Sequence, residues 1–367
     1  MEKEETHAST LPIMGGVQMS KKLKKGLYFT DIHWGRKANS DLHNDDCTRF
    51  IKWVCEIVKQ RDDIDFIGFL GDWFEHRSAV NISTLNISYQ GACLLNELNL
   101  PVFFCVGNHD LYHRNTRNVH SLVHYSDLEN FIVIDEAVVV DNIVGKVFFC
   151  PYMFHHEYAT LKEHSKNAKV WAGHFEFKGF VITGTNVRMP TGPDISDFVG
   201  PKSILSGHFH KRQKQANIEY IGNTFPMDFG DVNDISRGVA IYNHETNETE
   251  YIDWDKGPRY FKFNISDLIE NDIEIPSNSY VKCVINIPLS YEELLLIRQT
   301  YTEKYHMRDF LTEETSAKQD SLTDTEVEED VTVTDITSVD DLIIGMLLKI
   351  ENEQLDNNLL VELYKKL

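Results

Sequence analysis

Seven side chains able to donate to a metal stand between positions 31 and 210: Asp31, His33, Asp72, Asn108, His174, His208 and His210. Each directly follows a short apolar run. Residues 27–29 lead into Asp31-Ile32-His33, residues 66–70 into Gly71-Asp72, and residues 102–106 into Gly107-Asn108-His109-Asp110. Residues 170–172 lead into Gly173-His174, and Ile204-Leu205 into Gly207-His208-Phe209-His210. Packing gives no reason for this order. Metal chemistry does, because mixed nitrogen and oxygen donors suit Mn, Zn or Fe, whereas Mg and Ca favour all-oxygen shells. Seven donors are too many for one ion, but two ions sharing a bridging carboxylate would use them all, with Asp72 the natural bridge. Two ions roughly 3.5 to 4 Å apart clamp the attacking and leaving oxygens of phosphoryl transfer.

Strands must carry these donors to one place. In an open α/β sheet, polar side chains at the carboxyl ends of strands converge on one rim, so five such ends can build one site. Within Asp31-x-His33 and His208-x-His210, an extended backbone would aim both side chains the same way. Helical periodicity covers residues 45–60, with Phe50, Ile51, Val54, Cys55, Ile57 and Val58 on one stripe, and residues 83–98 supply the next helix. Short strands follow at 131–134, 138–140 and 147–150, and a run of strands and turns fills 218–252. The pieces fit a two-sheet sandwich flanked by helices.

The ordered set of five motifs resembles the signature of the calcineurin-type metallophosphoesterases. Within that superfamily the chain is most similar to the nuclease subunit of the SbcCD and Mre/Rad repair complexes, in its large-phage recombination form. Asp31-Ile32-His33-Trp34-Gly35, the doubled histidine of Gly207-His208-Phe209-His210 and the stretch at residues 220–231 carry that likeness, which spans about residues 27–253. The resemblance implies an α/β fold, a four-layer β-sandwich flanked by helices, with a small α+β capping domain and a C-terminal helical tail. Carried over residue by residue, it implies one ion held by Asp31, His33, Asp72 and His210. Asp72, Asn108, His174 and His208 would hold the other, with Mn the expected metal. It further implies that His109, held by Asp110, stabilises the transferring phosphoryl or protonates the leaving oxygen. Cellular members usually place a histidine three residues after the bridging aspartate; Glu75 stands there in this chain, with His76 one step later.

A net charge of -21 argues at first against a nucleic-acid binder. Its distribution weakens the objection: residues 1–260 carry -7 and residues 261–367 carry -14, which together make the total. Two divalent ions would add about +4 at the site, and Arg36, Lys37, Arg77, Arg114, Arg117, Lys211, Arg212 and Lys214 flank the motifs as plausible phosphate contacts. His113, His120, His124, His155, His156 and His164 read as ordinary surface histidines. The six cysteines show no paired spacing and read as buried thiols of a reducing compartment. No run approaches the roughly 18 apolar residues of a membrane span, and the first residues lack an apolar leader core. The chain is expected in the cytoplasm, that of the host for a viral chain, and away from membranes.

Five regions are expected: a disordered tail at 1–24, the nuclease domain at 25–257, the capping domain at 258–311, an acidic flexible linker at 312–338 and a helical segment at 339–367. In the last, Leu342, Ile343, Met346, Leu347 and Ile350 recur at helical spacing, too short an element to bury that face alone, and a partner groove is its expected destination. The resemblance implies that the partner is an SMC-like ATPase of the SbcC/Rad type, and that the chain is a homodimer. The leading expectation is a Mn-dependent DNA nuclease with exonuclease and single-strand endonuclease activities, serving recombination and double-strand-break repair. A phosphodiesterase for small molecules or cyclic nucleotides and a noncatalytic scaffold of the same fold are the alternatives.

Overall fold

The computed structural model describes residues 22–314, apart from 166, 183, 186 and 272. Four parallel strands come first: β1 (Lys25–Phe29), β2 (Phe66–Phe69), β3 (Val102–Cys105) and β4 (Phe131–Ile134). The next six, β5 (Val138–Val140), β6 (Val147–Cys150), β7 (Val170–Gly173), β8 (Ser203–Ser206), β9 (Gln213–Gln215) and β10 (Ile218–Tyr220), form a second sheet in the order β5-β6-β7-β8-β10-β9. The chain then returns, and β11 (Gly238–Asn243) pairs antiparallel with β1 while β12 (Glu248–Asp253) closes the edge beside it. The first sheet thus runs β12-β11-β1-β2-β3-β4. It holds six strands.

Apolar residues on both faces of these strands make two sheets the stable outcome. Tyr28, Phe66 and Phe103 of the first sheet meet Val147, Phe149, Val170 and Leu205 of the second in one dry layer, with Phe103 stacked on Phe149 at 4.6 Å. On the outer face of the first sheet lies α1 (Asp41–Gln60), burying Cys47, Phe50, Ile51 and Val54. It begins four residues earlier than its periodicity predicts because the Ser40 hydroxyl accepts the His43 N–H and caps it. Beside it runs α2 (Ile82–Asn96), capped by Asn81. The second sheet is covered by α3 (Tyr158–His164), a helix the sequence reading left out. The result is the four-layer α/β sandwich expected. All six cysteines are unpaired, five of them buried. No helix among the described residues is long and apolar enough to cross a membrane.

A third, parallel sheet follows: β13 (Arg259–Asn264), β14 (Ser279–Ile285) and β15 (Asp309–Glu314), with α4 (Ile265–Glu270) and α5 (Tyr291–Tyr305) packed on it. Residues 312–314, expected in the acidic linker, instead complete β15 by pairing with residues 283–285. Two cations tie this sheet to the sandwich. Arg308 makes a two-pronged ion pair with Asp46 of α1, at 2.5 and 2.7 Å; Lys37 reaches the Tyr260 hydroxyl and lies over the Tyr280 ring at 4.3 Å. At the other end of the chain, Leu23 is buried and bridges Ile143. The expected tail up to residue 21, the linker from 315 onward, and the helical segment with Leu342, Ile343, Met346, Leu347 and Ile350 lie outside the described residues.

Candidate metal centre

The carboxyl ends of β1, β2, β3, β7 and β8 bring all seven predicted donors to one rim. Their backbones are not extended there. Asp31, His33, Asp72 and His208 all have positive φ, at 52°, 52°, 61° and 90°. Side chains other than glycine avoid that region, and each such residue costs on the order of 1–3 kcal/mol. The two-residue spacing of Asp31 and His33 therefore converges through a left-handed turn, not through the strand geometry the sequence suggested. Glycine is required beside them because backbones cross at close range: a Cβ on Gly107 would overlap the Asp72 amide, and one on Gly207 would overlap the Thr30 hydroxyl.

Each aspartate spends one oxygen on holding the loops and turns the other inward. Asp31 Oδ2 accepts from the Thr30 hydroxyl at 2.6 Å and is the nearer acceptor of the His208 N–H, at 3.0 Å against 3.3 Å for Oδ1; Oδ1 lies 3.8 Å from both His33 Nε2 and His210 Nε2. Those two imidazole nitrogens are 3.1 Å apart. Asp72 Oδ1 accepts the His109 N–H at 2.8 Å; its Oδ2 lies 3.4 Å from His174 Nε2 and 3.9 Å from His33 Nε2. Asn108 Oδ1 is 2.9 Å from His174 Nε2 and equally 2.9 Å from His208 Nδ1. Two groups of donors thus meet at Asp72.

Outer contacts fix which nitrogen each ring turns inward. His174 Nδ1 donates to the Leu70 carbonyl at 2.7 Å, so a neutral ring presents a bare Nε2 to Asn108 and Asp72. His33 Nδ1 lies 2.9 Å from Glu75 Oε2, close enough for charge attraction although the angle is not that of an aligned hydrogen bond. The centre is short of positive charge. Burial alone would lower the His174 pKa, yet the Asp72 carboxylate beside it carries it up to about 9. Burial would raise the pKa of Asp72, but His174, His109 and His33 hold it well below the usual carboxylate range. His210 moves down under burial and the neighbouring His33. Carboxylate, amide and imidazole groups converging on one region fit divalent cations, and the mixed oxygen and nitrogen set fits a transition metal.

His109 and Asp110 differ from the pairing expected. The His109 ring donates from Nδ1 to the Glu75 carbonyl at 2.7 Å, and Asp110 does not touch it. Asp110 is buried and accepts the backbone N–H groups of Gly107, Asp72, Trp73 and Phe74 at 2.9 to 3.1 Å. A carboxylate three residues after a glycine at a strand end meets a cluster of unsatisfied amides first, so it builds the loops and leaves ring orientation to a main-chain oxygen. Burial and the nearby Asp72 lift its pKa to about 6. Two acids that sequence reasoning did not place in the centre stand at its edge: Glu75, against His33 and Arg36, and Glu176, against His208 and His155. His76 is exposed.

Five of the predicted phosphate contacts are already engaged. Arg36 pairs with Glu75 at 3.1 Å and Asp228 at 2.6 Å, Lys37 with the tyrosines named above, and Arg117 with Glu157 and two main-chain carbonyls. Arg212 pairs with Asp253 at 2.8 Å and lies 3.7 Å over Tyr251, and Lys214 pairs with Glu219 at 3.0 Å. In so acidic a chain, a cation near an internal carboxylate is taken by it. Arg77, Arg114 and Lys211 make no ion pair among the described residues. Lys211, next to His210, also lines a groove of about 640 Å³ with Arg188 and Lys214.

Residues 27–212, about half of the chain, match the family model described as Calcineurin-like phosphoesterase. The chain is 29% identical over 231 residues to Exonuclease subunit 1 of Enterobacteria phage T4, spanning 62% of this chain and 67% of that one. A solved structure of a protein of unknown function from Aquifex aeolicus is similar at a TM-score of 0.27 and 13% identity, over 52% of this chain and 82% of its own. That likeness is too slight to carry an argument.

Proposed function

We propose that this chain, which belongs to the calcineurin-like phosphoesterase family, is the nuclease subunit of a DNA recombination and double-strand-break repair complex. It would hydrolyse phosphodiesters at a pair of divalent ions, Mn first among them. One observation carries the reading: Asp72 Oδ2 faces donors of both groups, His174 Nε2 at 3.4 Å and His33 Nε2 at 3.9 Å, as a shared carboxylate must. Asp31, His33 and His210 complete one half with Asp72; Asn108, His174 and His208 complete the other. Bound there, divalent ions supply Lewis acidity at phosphoryl oxygens and lower the pKa of water.

The chain's own groups do the rest. His109, with Nδ1 committed to the Glu75 carbonyl, keeps Nε2 for the substrate, where it steadies a phosphoryl oxygen or gives a proton to the leaving oxygen. Asp110 holds the crossing loops through their amides and serves the reaction only through them. A nucleic-acid substrate and a partner are brought by the relative, an exonuclease subunit. Arg77, Arg114 and Lys211, the predicted contacts left without an internal acid, are the phosphate contacts in this reading, and the groove that Lys211 lines with Arg188 supports a path for a strand. The SMC-like ATPase partner gripped by residues 339–367, the homodimer, the single-strand endonuclease activity and the cytoplasmic setting belong to the same proposal.

Purified protein incubated with Mn and end-labelled DNA, beside a generic phosphodiester, tests the reading. Shortening of the DNA, abolished in Asp72→Ala, is the expected result. Turnover of the small ester with intact DNA would move the chain to small-molecule chemistry, and equal cutting by Asp72→Ala would overturn the metal centre.

A further inference from the structure

Glu176 follows His174 by two residues, and no motif of the family signature above includes it. Its carboxylate is divided between two imidazoles: Oε2 lies 3.1 Å from His208 Nε2, and Oε1 lies 3.0 Å from His155 Nε2. The His208 ring turns its other nitrogen, Nδ1, to Asn108 Oδ1 at 2.9 Å, into the half of the centre that also holds His174. The main chain fixes His208 less completely than its neighbour. Its N–H is donated to Asp31, but the ring is partly exposed, whereas His174 is fully buried and locked by the Leu70 carbonyl. Among the described residues, the acceptor at its outer nitrogen is Glu176. That acid is itself anchored, since its N–H donates to the buried Tyr158 hydroxyl at 2.9 Å.

We propose that Glu176 is a positioning residue for the half of the centre formed by Asp72, Asn108, His174 and His208. By accepting the Nε2 proton, it fixes the His208 tautomer that presents a bare Nδ1 to an ion and makes that nitrogen a stronger donor. His155 aims the carboxylate. In the other half an acid also stands outside the ligand set, Glu75 Oε2 2.9 Å from His33 Nδ1, but as a charge contact and not an aligned hydrogen bond. The inference rests on the two-ion reading above, and it deepens that reading by assigning a residue that sets the affinity of one ion and not the other.

Titration of the full-length protein with Mn(II), followed by electron paramagnetic resonance, separates a single ion from an exchange-coupled pair. Wild type is expected to fill as a coupled pair. In Glu176→Ala, one of the two affinities falls about 10- to 100-fold, leaving a single-ion signal that returns to the pair at higher Mn. Glu176→Gln keeps an acceptor without charge and is expected to fall less, and His155→Ala, at an exposed position, shifts the same affinity in the same direction by a smaller factor. Two unchanged affinities in Glu176→Ala, with wild type filling as a pair, would overturn the role of Glu176 alone. A wild type that never forms a coupled pair would overturn the two-ion reading with it.

Discussion

His33 and His210 face one another Nε2 to Nε2 at 3.1 Å, although 177 residues separate them in the chain. Two bare imidazole nitrogens at that distance repel through their lone pairs and two protonated ones through charge, so without a cation the contact needs one ring to donate its Nε2–H to the other. Asp31 Oδ1, 3.8 Å from each, adds a third lone pair aimed at the same region. A cation that takes the place of that proton binds all three donors at once, and that makes folding stability depend on metal.

Mn at a hundred times its dissociation constant is therefore expected to raise the unfolding free energy by about 2.7 kcal/mol per occupied site. Calorimetry with Mn and with a chelator measures it. The double variant His33→Ala, His210→Ala should keep only the contribution of the other half. Melting temperatures that ignore both Mn and chelator would mean that these lone pairs do not meet at a cation.

His109 is held by two main-chain contacts, its N–H on Asp72 Oδ1 and its ring on the Glu75 carbonyl. His109→Asn is expected to slow DNA cleavage by about 10²- to 10⁴-fold while Mn uptake stays at the wild-type level. Parallel cleavage and metal analysis distinguish this from a ligand's role: if Mn is lost in proportion to activity, His109 belongs to the metal shell.

His244 gives a pH prediction away from the centre. Its ring is buried against the Tyr28 hydroxyl at 2.9 Å, and burial pushes its pKa down to about 3. The unfolded chain takes up this proton below about pH 6.5, the folded chain only near pH 3. The associated stability is fully present above pH 6.5 and is lost as pH falls, by about 2 kcal/mol at pH 5. Urea unfolding at pH 7 and pH 5 should show a flatter dependence in His244→Gln than in wild type, and identical slopes would refute the assignment.

Arg308 and Asp46 join the third sheet to the sandwich with both partners nearly buried. Asp46→Ala leaves the guanidinium uncompensated and is expected to cost about 3–5 kcal/mol; adding Arg308→Met should restore most of it. Chemical denaturation of the single and double variants checks this. A single variant within 1 kcal/mol of wild type, well under the magnitude expected of a buried pair, would show that the third sheet and the sandwich hold together without it.

Much of the fold was legible because apolar runs ending in Gly-Asp, Gly-Asn-His or Gly-His announce both a buried strand and a polar rim. The strands at 131–134, 138–140 and 147–150 fall where short apolar runs put them. Three things were not legible. Left-handed backbone at Asp31, His33, Asp72 and His208 is strain imposed by crossing loops, and no local propensity signals it. Asp110 looked like a partner for the ring beside it, but four amides from two loops compete for its oxygens and win. The basic residues were read as free because their acids, such as Asp228 for Arg36 and Asp253 for Arg212, are distant in sequence. Glu176 had one available signal: it repeats the two-residue spacing of Asp31-x-His33 after His174.

The most direct measurement is anomalous diffraction from crystals grown with Mn. Two peaks roughly 3.5 to 4 Å apart, one on each side of Asp72 Oδ2, are the result predicted. A single peak, or peaks that leave Asp72 without a shared ion, would contradict the bridged pair on which the proposed chemistry depends.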